Sequence, residues 1–138
     1  MQRTGLLFLG LLGMSVSHAA AQVKFTATPI LQSGVTVAGA PIVYPKTDSA
    51  EVTGMRVDIG PGGETGRHMH PYPAFVYVLE GTVEVEMEGG TVHNYKAGDS
   101  FLEVLNTWHN GRNKGAATTK LLVVFAGVKG KPNLVRPQ

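Results

Sequence analysis

Apolar and polar residues alternate with a period of two along much of this chain, and no window longer than about ten residues holds a 3.6-residue apolar period. Met55, Val57 and Ile59 alternate with Arg56 and Asp58, and the run stops at Gly60-Pro61-Gly62-Gly63, a loop that can hardly continue a ladder. After Gly81, Val83, Val85 and Met87 alternate with Glu84, Glu86 and Glu88, the pattern of a half-buried strand with a solvated acidic face. Gly89-Gly90 then supplies a hairpin turn that returns the chain into Thr91 to Tyr95. Further strands are predicted at Ser100 to Glu103, Trp108 to Asn113 and Thr119 to Ala126. The whole pattern predicts an all-β domain.

One strand breaks the alternation, because Ala74 to Leu79 is apolar on both faces. If Ala74, Val76 and Val78 point into a core, then Phe75, Tyr77 and Leu79 point out and want a cover. The stretch 22–50 is predicted to add N-terminal strands, but Pro29, Gly34, Gly39 and Pro41 interrupt it. A second copy of the chain is therefore the favoured cover, and a homodimer is expected. Residues 128–138, rich in Pro and Lys, are expected to form a loosely packed tail.

Composition changes this picture at the N-terminus. Residues 1–21 carry Arg3, an apolar run from Leu6 to Val16 and the small residues Ala19-Ala20-Ala21, the layout of a cleavable signal peptide. That run is shorter than the roughly 20 residues that a membrane-spanning helix needs. The expected mature chain therefore begins near Gln22 and is periplasmic or secreted, free of the membrane once cleaved. Loss of Arg3 leaves 11 basic against 10 acidic residues, dispersed rather than clustered, which argues against a nucleic-acid partner. With no cysteine, the chain has no disulfide to lean on.

Four histidines follow the leader: His68, His70, His93 and His109. On a strand, residues two apart share a face, so His68 and His70 present two imidazoles side by side. His-x-His is a weak signal alone, and surface pairs are common. His93 lies beside the hairpin, where an exposed position is expected.

The surrounding order of residues is more specific, and it resembles the cupin superfamily. The first cupin motif reads here as Gly62, five residues, His68-Met69-His70, three residues, Ala74, six residues and Gly81. Every spacing fits, although Ala74 stands where the family has a glutamate ligand. The second reads as Gly98, five residues, Val104-Leu105-Asn106, two residues, His109, three residues and Asn113, with Val104 and Asn106 replacing the family's proline and glycine. The resemblance spans roughly residues 54–126. It implies a double-stranded β-helix, the cupin jelly-roll barrel, here in residues 51–127. It also implies a divalent transition metal (Fe, Mn, Ni, Cu or Zn) held by His68, His70 and His109.

Elementary chemistry is consistent with that implication. A buried polar side chain without a partner costs about 1–3 kcal/mol, so three inward imidazoles need a metal or a hydrogen-bond network. Three protein ligands leave positions open for water or a small-molecule substrate. A neutral set of histidines, with Ala74 in place of a carboxylate, leaves the full charge of the ion to stabilise an anionic chelating substrate. Some cupins with three histidines resemble this arrangement, among them thiol and diketone-cleaving dioxygenases.

Glu103, on the strand entering the second motif, has two readings. Pointing inward it is a catalytic base or a partner to a ligand; pointing outward it is a salt-bridging surface residue. Tyr72, Phe75 and Tyr77 are candidate pocket walls. Arg67 and Arg112 are expected to face away from the site, and Trp108 to face opposite His109. A metal-dependent dioxygenase on a small anionic substrate is the favoured function. A non-catalytic binding cupin, or an isomerase or decarboxylase, remains open.

Overall fold

The computed structural model describes residues 25–138, so the leader-like residues 1–21 and the location they imply lie outside it. Seven strands form in chain order: β1 (Ala50–Ile59), β2 (Ala74–Glu80), β3 (Thr82–Met87), β4 (Val92–Lys96), β5 (Ser100–Leu102), β6 (His109–Arg112) and β7 (Thr119–Val128). They make a four-stranded sheet in the order β1-β7-β2-β5 and a three-stranded sheet in the order β4-β3-β6. Every strand pair is antiparallel. This is the all-β jelly roll that the alternation and the motif order lead one to expect.

Each strand predicted from Met55 onward is present, and the alternation decides which side chains meet. Ile59 from β1, Ala74, Val76 and Val78 from β2, and Leu121, Val123 and Phe125 from β7 are buried together with Val83, Val85 and Phe101. Burying a Val, Leu or Phe side chain contributes roughly 1.5–3 kcal/mol, so this shared interior between the sheets is the main source of stability. Phe75 and Tyr77 point the other way and are half-buried. The strand β1 begins at Ala50, five residues ahead of the clear alternation, because it pairs with β7 along its full length from Ala50 opposite Val128 to Ile59 opposite Thr119.

The acidic stripe on β3 is exposed or half-buried, and each of its carboxylates meets a cation. Glu84 pairs with Lys114 at 2.7 Å, Glu86 with Arg112, and Glu88 with Arg67 at 2.6 Å. Arg67 also lies 5.4 Å from the centre of the Trp108 ring, so both face outward as expected.

Two expectations about the flanks need correction. Among the described residues short of Ala50, the N-terminal strands reduce to one bridged pair, Val35 with Pro41. This prolines-and-glycines stretch instead runs beside β5, where Val37 N–H donates to Leu102 O at 2.9 Å and Ser100 Oγ to Ile30 O at 2.5 Å. The tail is not loose. Met69 and Val135 exchange backbone hydrogen bonds of 3.0 and 2.9 Å, and Asn133 Nδ2 donates to Thr53 Oγ1 at 3.1 Å. Composition hides this strap because its order comes from pairing with a distant segment and from glycines that make room for it. A side chain at Gly127 would put its Cβ 2.3 Å from Asn133 Oδ1.

The second-motif residue Asn113 holds two loops together. It is 1% exposed; its Nδ2 donates to Ile59 O and Ala117 O at 2.8 and 2.7 Å, and its Oδ1 accepts from Gly115 N–H at 2.9 Å. Removing the amide strands three backbone groups, Ile59 O in a buried setting and the other two in part-buried ones, and a buried orphan costs about 1–3 kcal/mol. Asn113→Ala is therefore expected to lose about 2–4 kcal/mol in urea unfolding, allowing for partial relaxation. A loss of only a few tenths would show that water replaces the clasp.

Candidate metal centre

The two motifs deliver their histidines to one end of the barrel by backbone pairing. His68 and His109 form a bridge with bonds of 2.9 and 2.8 Å in the two directions, and His70 pairs with Leu105. The turn that makes this possible contains Asn106, whose φ of 50° is the left-handed conformation. Asparagine tolerates that region better than most residues. The substitution for the motif's glycine thus preserves the backbone shape, and Asn106 N–H donates to His70 O at 2.9 Å.

All three imidazoles are buried, at 4%, 4% and 2% exposure for His68, His70 and His109. One ligand atom from each lies within 4.8 Å of the others. Which nitrogen faces the centre follows from the opposite side of each ring. His68 Nδ1 is 2.7 Å from Gly66 O, His70 Nδ1 is 2.8 Å from Asn133 O, and His109 Nδ1 is 2.9 Å from Thr107 O. A carbonyl accepts only, so each Nδ1 carries the proton and each Nε2 keeps its lone pair for the centre. Ligands at about 2.1 Å from one ion stand roughly 3–3.5 Å apart, so the widest pair would close by about 1.5 Å to bring the trio onto a metal.

Electrostatics favour the same state. Burial pushes His68 and His70 down to about 4 each, against the opposing hydrogen bonds to Gly66 and Asn133; burial lowers His109 too. At neutral pH all three rings are uncharged, so a metal need not displace protons from them.

Glu103 faces inward. Its Oε2 is 3.7 Å from His109 Nε2, and burial pushes its carboxyl up to about 7, against the Val104 N–H that stabilises the carboxylate. Glu103 Oε2 and His109 Nε2 are both buried without a hydrogen-bond partner. Two facing orphans at that spacing are an arrangement that a bound cation completes, and the donor set of three imidazoles suits a divalent transition metal. Glu103 N–H donates to Ala74 O at 2.9 Å. Glu103, just beyond β5, thus has its backbone beside position 74, where the sequence has alanine.

The site opens on a cavity of about 230 Å³ lined by His68, His70, Glu103, Val76, Val85, Leu121, Val123 and Phe125, among others. Leu134 and Arg136 of the C-terminal strap complete its wall, a contribution that sequence reasoning missed for want of any local pattern. Tyr72, Phe75 and Tyr77 do not line it, because Pro71 and Pro73 leave the β2 alternation intact and the two strand aromatics face outward. His93, expected to be exposed, is half-buried and stacked on Tyr95 with ring centres 6.3 Å apart, away from the trio.

Known proteins share this frame. A family model described as the cupin domain matches residues 55–125. The polyketide synthase CurC of Streptomyces cyaneus is 32% identical over 75 residues, which cover 54% of this chain and 48% of CurC; the chain thus spans about half the length of that relative. Among solved structures, BH2720 of Bacillus halodurans superposes with a TM-score of 0.52 at 25% identity, over 59% of this chain and 67% of that one. Bacillus subtilis oxalate decarboxylase, described with Mn(II) centres, superposes with a TM-score of 0.54 at 22% identity, over 61% of this chain and 23% of that one, a likeness of fold. With the two motifs, the jelly roll and the matched family model over half of its length all in agreement, the chain belongs to the cupin family.

Proposed function

We propose that this cupin binds a divalent transition metal through Nε2 of His68, His70 and His109 and acts as a dioxygenase on a small anionic organic molecule. The observation that carries this reading is the set of three backbone carbonyls behind the rings, which turns three neutral lone pairs toward one point. A bound ion would supply Lewis acidity and a meeting place for a chelating anion and O₂.

The chain's own residues supply the rest. The histidines hold the ion and, being neutral, leave its charge to bind an anion. Val76, Val85, Leu121, Val123 and Phe125 keep water from the reacting atoms. Glu103 Oε2, without a partner in the wall, accepts the proton that an enol or catechol gives up as it docks. The exposed Val52, Leu79 and Leu122 on the outer face of the four-stranded sheet support assembly as a homodimer, and the leader-like first 21 residues support export.

Oxygen uptake by fully metallated protein, offered flavonols, catechols, diketones and thiols, tests the proposal. Uptake with at least one enolic class, absent from metal-free protein, is expected. No uptake would sink the oxygenase reading; CO₂ release without O₂ consumption would assign a decarboxylase, and binding without turnover a sensor or carrier.

A further inference from the structure

On the C-terminal strap, Arg136 reaches the same cavity as the histidines and is, among the described residues, the one Arg or Lys in its wall. Arg56, Arg67 and Arg112 each have a carboxylate within 4.0 Å, namely Asp58, Glu88 and Glu64 with Glu86. Among the described residues Arg136 is the arginine that has none. Glu103, the acid of the cavity, has its Oε2 3.7 Å from His109 Nε2 and forms no ion pair with Arg136.

Its position is built. Arg136 Nη1 donates to Thr65 O at 3.1 Å, and Thr65 Oγ1 lies 3.4 Å from His68 Nδ1, so the guanidinium sits one residue away from the histidine cluster. Gly66, with φ of 76°, makes the seat: a Cβ there would stand 2.9 Å from Arg136 Nη1. The strap that carries Arg136 is fixed at two points just ahead of it, by the Met69–Val135 bonds and by the Asn133 carbonyl behind His70. One backbone bond uses one of the five guanidinium N–H donors, and the others form a planar fork suited to a carboxylate.

We infer that Arg136 is a specificity-determining residue that selects substrates bearing a second carboxylate, in addition to the acidic group drawn to the three histidines. This rests on the metal-site reading above. The charges agree with it: a divalent ion, Arg136 and a Glu103 carboxylate sum to two positive charges, which a dianion neutralises. The cavity of about 230 Å³ has room for a short-chain diacid and none for a polymer. A monoacid of the same length leaves the guanidinium without its counter-charge.

The test is calorimetry on the full chain, loaded with Mn(II) and checked by elemental analysis, with 2-oxoglutarate against 2-oxopentanoate, which differ only in a terminal carboxylate for a methyl. The wild type is expected to prefer the diacid about 10- to 100-fold, the range of a charge-assisted hydrogen bond. R136Q is expected to abolish the preference while monoacid affinity, metal content and thermal midpoint stay unchanged, and R136K to keep part of it. A merely structural arginine would instead lower the midpoint and weaken both acids together, which overturns the proposal. Full metal loading with no diacid preference overturns it alone; failure of the wild type to take up metal overturns the metal reading as well.

Discussion

His70→Ala will strip the protein of its transition metal. The fold holds His70 from two sides: the residue is 4% exposed, its Nδ1 proton is tied to Asn133 O at 2.8 Å, and the Phe125 ring lies 5.1 Å away. Truncation removes an Nε2 already aimed at the centre and leaves His68 and His109 as a two-point site. Loss of a group that only orients a ligand costs about 10–100-fold in metal affinity, so loss of the ligand itself is expected to cost more than 100-fold. Elemental analysis after dialysis against a weak chelator measures it. His93→Ala is the control and should keep its metal, since that ring stacks on Tyr95 outside the cluster. Metal content unchanged in His70→Ala would remove the site assignment.

The histidine pair was legible in the sequence because its information is local, i and i+2 on one strand sharing a face, while His109 as the third came from the resemblance to the cupin motifs. The strands were legible for the same reason, since Val76, Val85 and Val123 are buried where a period of two puts them. Asn106 shows how a departure from a motif can preserve its physics: a residue tolerant of positive φ stands where glycine is usual, and the turn survives. What could not be read was long-range. Nothing in the composition of residues 128–138 says that Asn133 will back His70, or that Gly66 and Gly127 leave space for the strap. Nor could spacing decide the direction of Glu103. That depended on the register of β5 against β2, where the bond from Glu103 N–H to Ala74 O places the carboxylate beside the alanine rather than outside the barrel.

Glu103→Gln carries the second large effect, and it is expected to make the protein more stable and less active. Glutamine fills the same space, keeps an oxygen near His109 and leaves all three histidines in place, so metal content should hold. It cannot accept a proton, however, and loss of a general base costs about 10²–10⁴-fold in turnover. Stability should move the other way in metal-free protein. Burial raises the Glu103 carboxyl from 4.5 to about 7, so the folded state holds that proton more tightly than the unfolded state does. The resulting stabilisation is present in full below pH 4.5 and is lost as the pH rises through 7, beyond which the fold carries a buried carboxylate. Glutamine has nothing to lose over that window. Metal-free Glu103→Gln should therefore gain on the wild type as the pH climbs, by up to about 3 kcal/mol above pH 7. Urea unfolding at pH 5 and pH 8 reads the difference directly. Undiminished turnover at full metal loading would take Glu103 out of the chemistry; equal stability gaps at the two pH values would mean that its carboxylate finds in the folded cavity the solvation it has in water. Together the two outcomes would support the proposed function: a residue that costs the empty fold stability above neutral pH, yet faces the histidine centre beside Ala74, would be one held there for what it does with an ion and substrate in place.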